Sequence, residues 1–150
     1  MMELDFTRDA LRGLDVEWFA VDRRGAIAIL TSGYGAIPKA VFESKERLDR
    51  LTSFFGARPE SSGARLAEGL ATGGDYELFL REAGRGLYAY HHRGYSVLDP
   101  YELIASPAVP ATLDTVPAEI QALLRPFALG RLEFATAGRL RVQEHVECDV

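Results

Sequence analysis

The stretch Trp18-Phe19-Ala20-Val21-Asp22-Arg23-Arg24-Gly25-Ala26-Ile27-Ala28-Ile29-Leu30-Thr31-Ser32-Gly33-Tyr34-Gly35 holds two apolar runs, separated by a charged break and closed by a glycine-rich exit. Asp22 to Gly25 supplies a polar hairpin loop ending in a residue that tolerates positive φ, so the pattern predicts two antiparallel strands. An Asp at such a corner caps its own turn through its carboxylate, and the same position could present that carboxylate to a ligand. No catalytic signature follows the hairpin.

On the N-terminal side, Leu4, Phe6, Ala10, Leu11 and Leu14 lie among charges and predict a short helix started by Thr7 or Asp5. Beyond the glycine-rich exit, Ile37, Val41, Ser44, Leu48, Leu51 and Phe55 share one helical stripe. With Pro38 as a first-turn residue and Gly56 as the stop, they predict a helix over 38–55. Ser61 or Ser62 would cap a second helix running to Leu70, and after Gly73-Gly74 a third would span Tyr76 to Ala83. Three strands follow, at 87–92, 95–98 and 101–105, as an antiparallel meander turning at Arg93-Gly94 and Asp99-Pro100. Past the prolines at 107 and 110, the run from Asp114 to Glu119 opens a helix with Ile120, Leu123, Leu124 and Phe127 on its apolar face. Residues 131–136 and 139–146 then predict a last strand pair turning at Ala137-Gly138. Strands at both ends with helices between them give a single α+β domain, a mainly antiparallel sheet of about five to seven strands with helices packed on one face.

The chain has 150 residues, 47% of them hydrophobic, which suits one domain burying roughly 70% of its unfolded surface. Cys148 is the one cysteine, so no internal disulfide can form, and a reducing cytoplasm is the expected compartment. No apolar run approaches the roughly 18 residues of a membrane span, and the first residues lack a leader pattern. A net charge of -5 argues against nucleic acid and suits a basic protein partner. The seventeen cations, all but Lys39 and Lys45 arginine, are scattered along the chain, as on a solvated surface.

Two groups of residues are candidates for function. A strand leaving through Ser32-Gly33-Tyr34-Gly35 toward Pro38 has the outline of a backbone cradle for an anion, with Asp22, Ser32, Gly33 and Gly35 as the ligand-binding set. The third glycine of a dinucleotide loop and the Gly-Lys-Ser or Gly-Lys-Thr of a P-loop are absent, and a tight turn accounts for the same glycines. Strand alternation places Tyr88, Tyr90 and His92 on one face and Leu87, Ala89 and His91 on the other, so His91 and His92 cannot share a metal ion. If the smaller face packs under the helices, Tyr88, Tyr90 and His92 form an exposed aromatic patch which, with Tyr34, would anchor a partner. Alternatively the tyrosines are partly buried with their hydroxyls hydrogen-bonded. His145, Cys148 and Asp149 fall short of a tetrahedral ligand set, so neither metal nor cofactor is expected.

Taken in order, Trp18-Phe19-Ala20-Val21-Asp22-x-x-Gly25, Thr31-Ser32-Gly33-Tyr34-Gly35-x-x-Pro38, Gly86-Leu87-Tyr88-x-Tyr90, Tyr101-x-Leu103-Ile104-Ala105-x-Pro107 and Leu113-Asp114-x-Val116-Pro117 carry a resemblance. From about residue 16 to 136 the chain resembles a group of small bacterial proteins, some of them similar to the immunity partners of polymorphic toxins. The resemblance implies a cytoplasmic, non-catalytic protein that binds and masks a toxin, and it assigns no functional residue. Two other readings remain open at this stage: a small-ligand or enzymatic domain built on the turn after Ser32, and a homodimer formed through an edge strand.

Overall fold

The computed structural model describes residues 5–149, so the Leu4 end of the expected first helix lies outside the described residues. In chain order the elements begin with α1 (Arg8–Leu11), β1 (Glu17–Asp22), β2 (Ile27–Thr31), β3 (Ile37–Pro38), α2 (Lys39–Phe42), α3 (Lys45–Gly56), β4 (Ala64–Leu66) and α4 (Glu77–Gly84). They continue with β5 (Tyr88–His91), β6 (Tyr101–Pro107), α5 (Ala118–Leu124), β7 (Ala128–Leu129), β8 (Arg139–Leu140) and β9 (Cys148–Asp149). Thr7 caps α1 as expected, its Oγ1 accepting from the Ala10 N–H at 3.2 Å.

β1 and β2 form the hairpin, with Trp18 opposite Leu30 and Phe19 opposite Ile29. Both are buried on both faces, which explains why they read as continuous apolar runs and not as alternation. The main sheet has seven strands in the order β4-β6-β5-β2-β1-β7, with β8 also pairing β6. Most pairings are antiparallel, but β5 runs parallel to β2 and β7 parallel to β1, so the sheet is mixed. β3 and β9 make a separate small pair. The result is a single α+β domain.

Each face of the sheet has its own cover. On one face Phe19 stacks on Phe55 of α3 at 5.1 Å, and His91 meets Phe79 of α4 at 5.3 Å. The other face carries Trp18, Leu30, Tyr88 and Tyr90, and the fully buried Phe134 lies 5.8 Å from the Tyr88 ring and 5.7 Å from that of Tyr90. Nearby, Trp18 Nε1 donates to the Tyr101 hydroxyl at 3.2 Å, and that hydroxyl donates to the Ala36 carbonyl at 2.8 Å.

Four expectations are corrected. The helix over 38–55 is two helices, because Ser44 leaves the helical path and caps α3, accepting from the Arg47 N–H at 3.0 Å. Residues 64–66 form the edge strand β4 rather than part of a helix, since their backbone pairs with residues 105–107 of β6. Residues 95–98 are not a strand: β5 and β6 pair directly across the loop 92–100. Residues 131–136 turn around Phe134 and do not pair with 139–146; instead β8 joins β6 at Tyr101 and Glu102.

One side chain ties the second cover to the sheet. Asp22 Oδ1 accepts the N–H groups of Arg24 and Ala26, both at 2.9 Å, which closes the hairpin turn that Gly25 completes at φ +83°. Its Oδ2 accepts the N–H of Phe134, also at 2.9 Å. Asp22 is buried, so removing its carboxylate strands N–H groups that water reaches poorly. Asp22→Ala is therefore expected to cost about 2–4 kcal/mol, with Asp22→Asn between it and the native protein because the amide keeps one acceptor oxygen. Urea unfolding checks this, and an alanine variant within about 0.5 kcal/mol of the native protein would contradict it.

Candidate functional site

The glycine-rich turn leaves β2 through Ser32, and its polar groups are already used. Ser32 Oγ accepts from the Val16 N–H at 2.9 Å and donates to the Leu14 carbonyl at 3.3 Å, clamping the chain that enters β1. The Gly35 N–H bonds back to the Ser32 carbonyl at 2.6 Å. Carbonyls, not N–H groups, face inward: the buried guanidinium of Arg8 donates through Nη2 to Gly35 at 2.8 Å and to Gly33 at 3.4 Å. Two carbonyls turned toward a cation are the reverse of an anion cradle. Gly35 is required because a Cβ there would stand 2.8 Å from the His92 ring. Asp22 lies at the opposite end of the β1–β2 hairpin from Ser32, so the Asp22, Ser32, Gly33 and Gly35 set is not brought together.

The aromatic set divides as well. The alternation along β5 is as read, with His91 beneath α4, but the opposite face is covered by Phe134 and not by solvent. Tyr90 is 0% exposed, its hydroxyl donating to the Ala137 carbonyl at 2.6 Å, and Tyr88 is buried beside it. Burial raises both phenols above the ordinary tyrosine range. His92 is 2% exposed, with its ring edge-on to Tyr101 and Nε2 donating to the Asp99 carbonyl at 3.0 Å. These three side chains hold the sheet to its loops and offer no patch.

Tyr34 alone of the expected four reaches the surface, at 41% exposure, and it has a neighbour that sequence reasoning missed. Tyr95, 88% exposed, places its ring 6.0 Å from that of Tyr34, and Leu98 on the same loop is 71% exposed. That loop is held by its own bonds: Asp99 Oδ2 accepts the Ser96 N–H, and the Asp99 N–H donates to the Ser96 carbonyl. His92 anchors its start on β2, its N–H donating to the Thr31 carbonyl at 3.0 Å. Gly94, Ser96 and the Asp99-Pro100 pair were the signal that this segment is a turn rather than a strand.

A second cluster has no counterpart in the sequence reading. Glu82 of α4 is 4% exposed and stands against Glu17 of β1. Burial, then hydrogen bonding to Glu17 and the charge of Glu17, push its carboxyl up to about 8, while Arg85 opposes the shift. At neutral pH the Glu82 carboxyl therefore keeps its proton. Among the described residues no group of three His, Cys, Asp or Glu side chains could hold a metal ion, and burial raises the Cys148 thiol to about 11, away from thiolate chemistry. No helix among them is long and apolar enough to cross a membrane.

No family model matches this chain, and no curated protein or solved structure matches it.

The folded protein holds the Glu82 proton more tightly than the unfolded chain, so stability falls as pH rises from about 4.5 toward about 8. His91, lowered by burial, contributes the opposite slope below its ordinary value. Comparing the native protein with Glu82→Gln cancels that term. The glutamine variant is expected to gain stability on the native protein steadily from pH 5 to pH 8, by up to a few kcal/mol in urea unfolding. A difference that stays constant across this range would contradict the raised Glu82 carboxyl.

Proposed function

We propose that this protein is a non-catalytic binding module that recognises another protein through the loop end carrying Tyr34 and Tyr95, in the manner of an immunity partner masking a basic toxin. The observation that carries the reading is the pair of exposed tyrosines 6.0 Å apart on two loops whose bases are fixed by Ser32 and His92. Tyrosines offer large contact area at low cost in lost rotamer freedom, and loops held by a rigid sheet present them already ordered. The net charge of -5 favours encounter with a basic partner. The small-ligand reading built on the turn after Ser32 loses support, because Arg8 and His92 of this chain fill that turn.

The test is co-purification of the tagged protein from cells carrying its native partner, at low and high salt, with Tyr34→Ala, Tyr95→Ala and a Tyr76→Ala control. The expected result is a stoichiometric basic protein whose affinity falls by about tenfold with each of the first two substitutions and is unchanged by the third. Co-expression should also relieve that protein's toxicity. Capture that is indifferent to both loop tyrosines would overturn the assignment of this face.

A further inference from the structure

Between α3 and α4, on the helix-covered face of the sheet, lies a pocket of about 180 Å³. Phe19 and Ile29 form its floor, Phe55 and Leu87 its walls, and Glu82 and Glu17 are its acidic groups. The Oε2 of Glu82 is buried without a hydrogen-bond partner, which is costly unless something else occupies the space in front of it. Such an arrangement, a carboxyl pair in an apolar hollow, repels anions and gives a neutral apolar molecule no use for the carboxyls.

We propose that this pocket binds a small organic ammonium ion, its N–H groups donating to the unpartnered Oε2 of Glu82 and to Glu17 and its apolar stem lying against Phe19 and Phe55. Charge is conserved, since the Glu82 proton leaves as the ammonium enters. The charged groups facing Glu82 permit this. Glu17 attracts the cation, and Arg85, the residue after α4 that also lines the pocket, is engaged by other groups, with Nε donating to the Arg58 carbonyl at 3.2 Å and Nη2 3.7 Å from Glu60. Size limits the stem, because a cavity of about 150 Å³ accepts benzene, which points to a ligand of roughly eight heavy atoms. A sugar or peptide substrate is too large.

Benzylammonium and benzyl alcohol are the probes, followed by amide NMR shifts and by calorimetry in buffers of different ionisation enthalpy. Benzylammonium is expected to shift the amides of Glu17, Glu82 and Leu87, to bind at least about tenfold more tightly than the alcohol, and to release close to one proton per molecule at pH 6, falling toward about half a proton near pH 8. Glu82→Gln and Glu17→Gln, each shown folded by its amide spectrum, should each weaken the amine at least about tenfold. Butylammonium and a lysine capped at both ends separate the two sources of the group. Tighter binding of butylammonium marks a free amine, and tighter binding of the capped lysine marks a partner's side chain. The proposal is overturned if the alcohol binds as well as the amine, if Glu82→Gln keeps full affinity, or if no amide shifts at about 20 mM amine between pH 6 and 9.

Discussion

The carboxylate of Asp22 accepts backbone N–H groups from two places more than a hundred residues apart in sequence, and the second cover of the sheet hangs from it. Oδ1 organises the turn between β1 and β2, while Oδ2 takes the N–H of Phe134 and brings that ring over Tyr88 and Tyr90. Without the Phe134 segment the sheet would have helices on one face and an open aromatic face on the other, an arrangement that exposes apolar surface to water. The turn and the cover are thus one structural decision. Salt bridges from Arg23 and Arg24 to Glu133 lie alongside, but they are solvent-exposed and add little beside a buried carboxylate with all its bonds made.

This explains what could and could not be read from the residues. The β1–β2 hairpin and the Thr7 cap depend on neighbours in sequence, so propensity and turn chemistry reveal them. Strand β4 depends on pairing with residues 105–107, and the Ser61-Ser62 pattern reads locally as a helix cap while Ser62 Oγ in fact accepts the Val109 N–H. The division of the long middle helix was within reach, since Ser44 sat on an apolar stripe where it had no business as a core residue. The segment 131–136 carries no local sign of its role, because that role is set by Asp22.

The candidate sites follow the same logic. Alternation along β5 correctly separated Tyr88, Tyr90 and His92 from Leu87, Ala89 and His91, yet alternation reports only that two faces exist and not which is covered. The glycines after Ser32 do mark a tight turn, and the reason for tightness is the approach of His92 and Arg8 rather than a ligand. Tyr95 escaped notice as part of an expected strand. Glu17 and Glu82 are separated by 64 intervening residues and line one pocket only because α4 packs over β4, β5 and β6 beside β2 and β1. With both faces of the sheet closed, the exposed tyrosine pair lies on the loops at its end.

The six tyrosines report directly on the closure of both faces. Nitration of the native protein by tetranitromethane, followed residue by residue with mass spectrometry, distinguishes phenols that reach solvent from those that do not. Tyr95 should be modified first and Tyr34 after it, while Tyr90 and Tyr101, buried and raised in pKa by that burial, stay unmodified until the protein unfolds. Nitration of Tyr90 or Tyr101 in the native protein at a rate near that of Tyr95 would show that the Phe134 cover does not close the sheet.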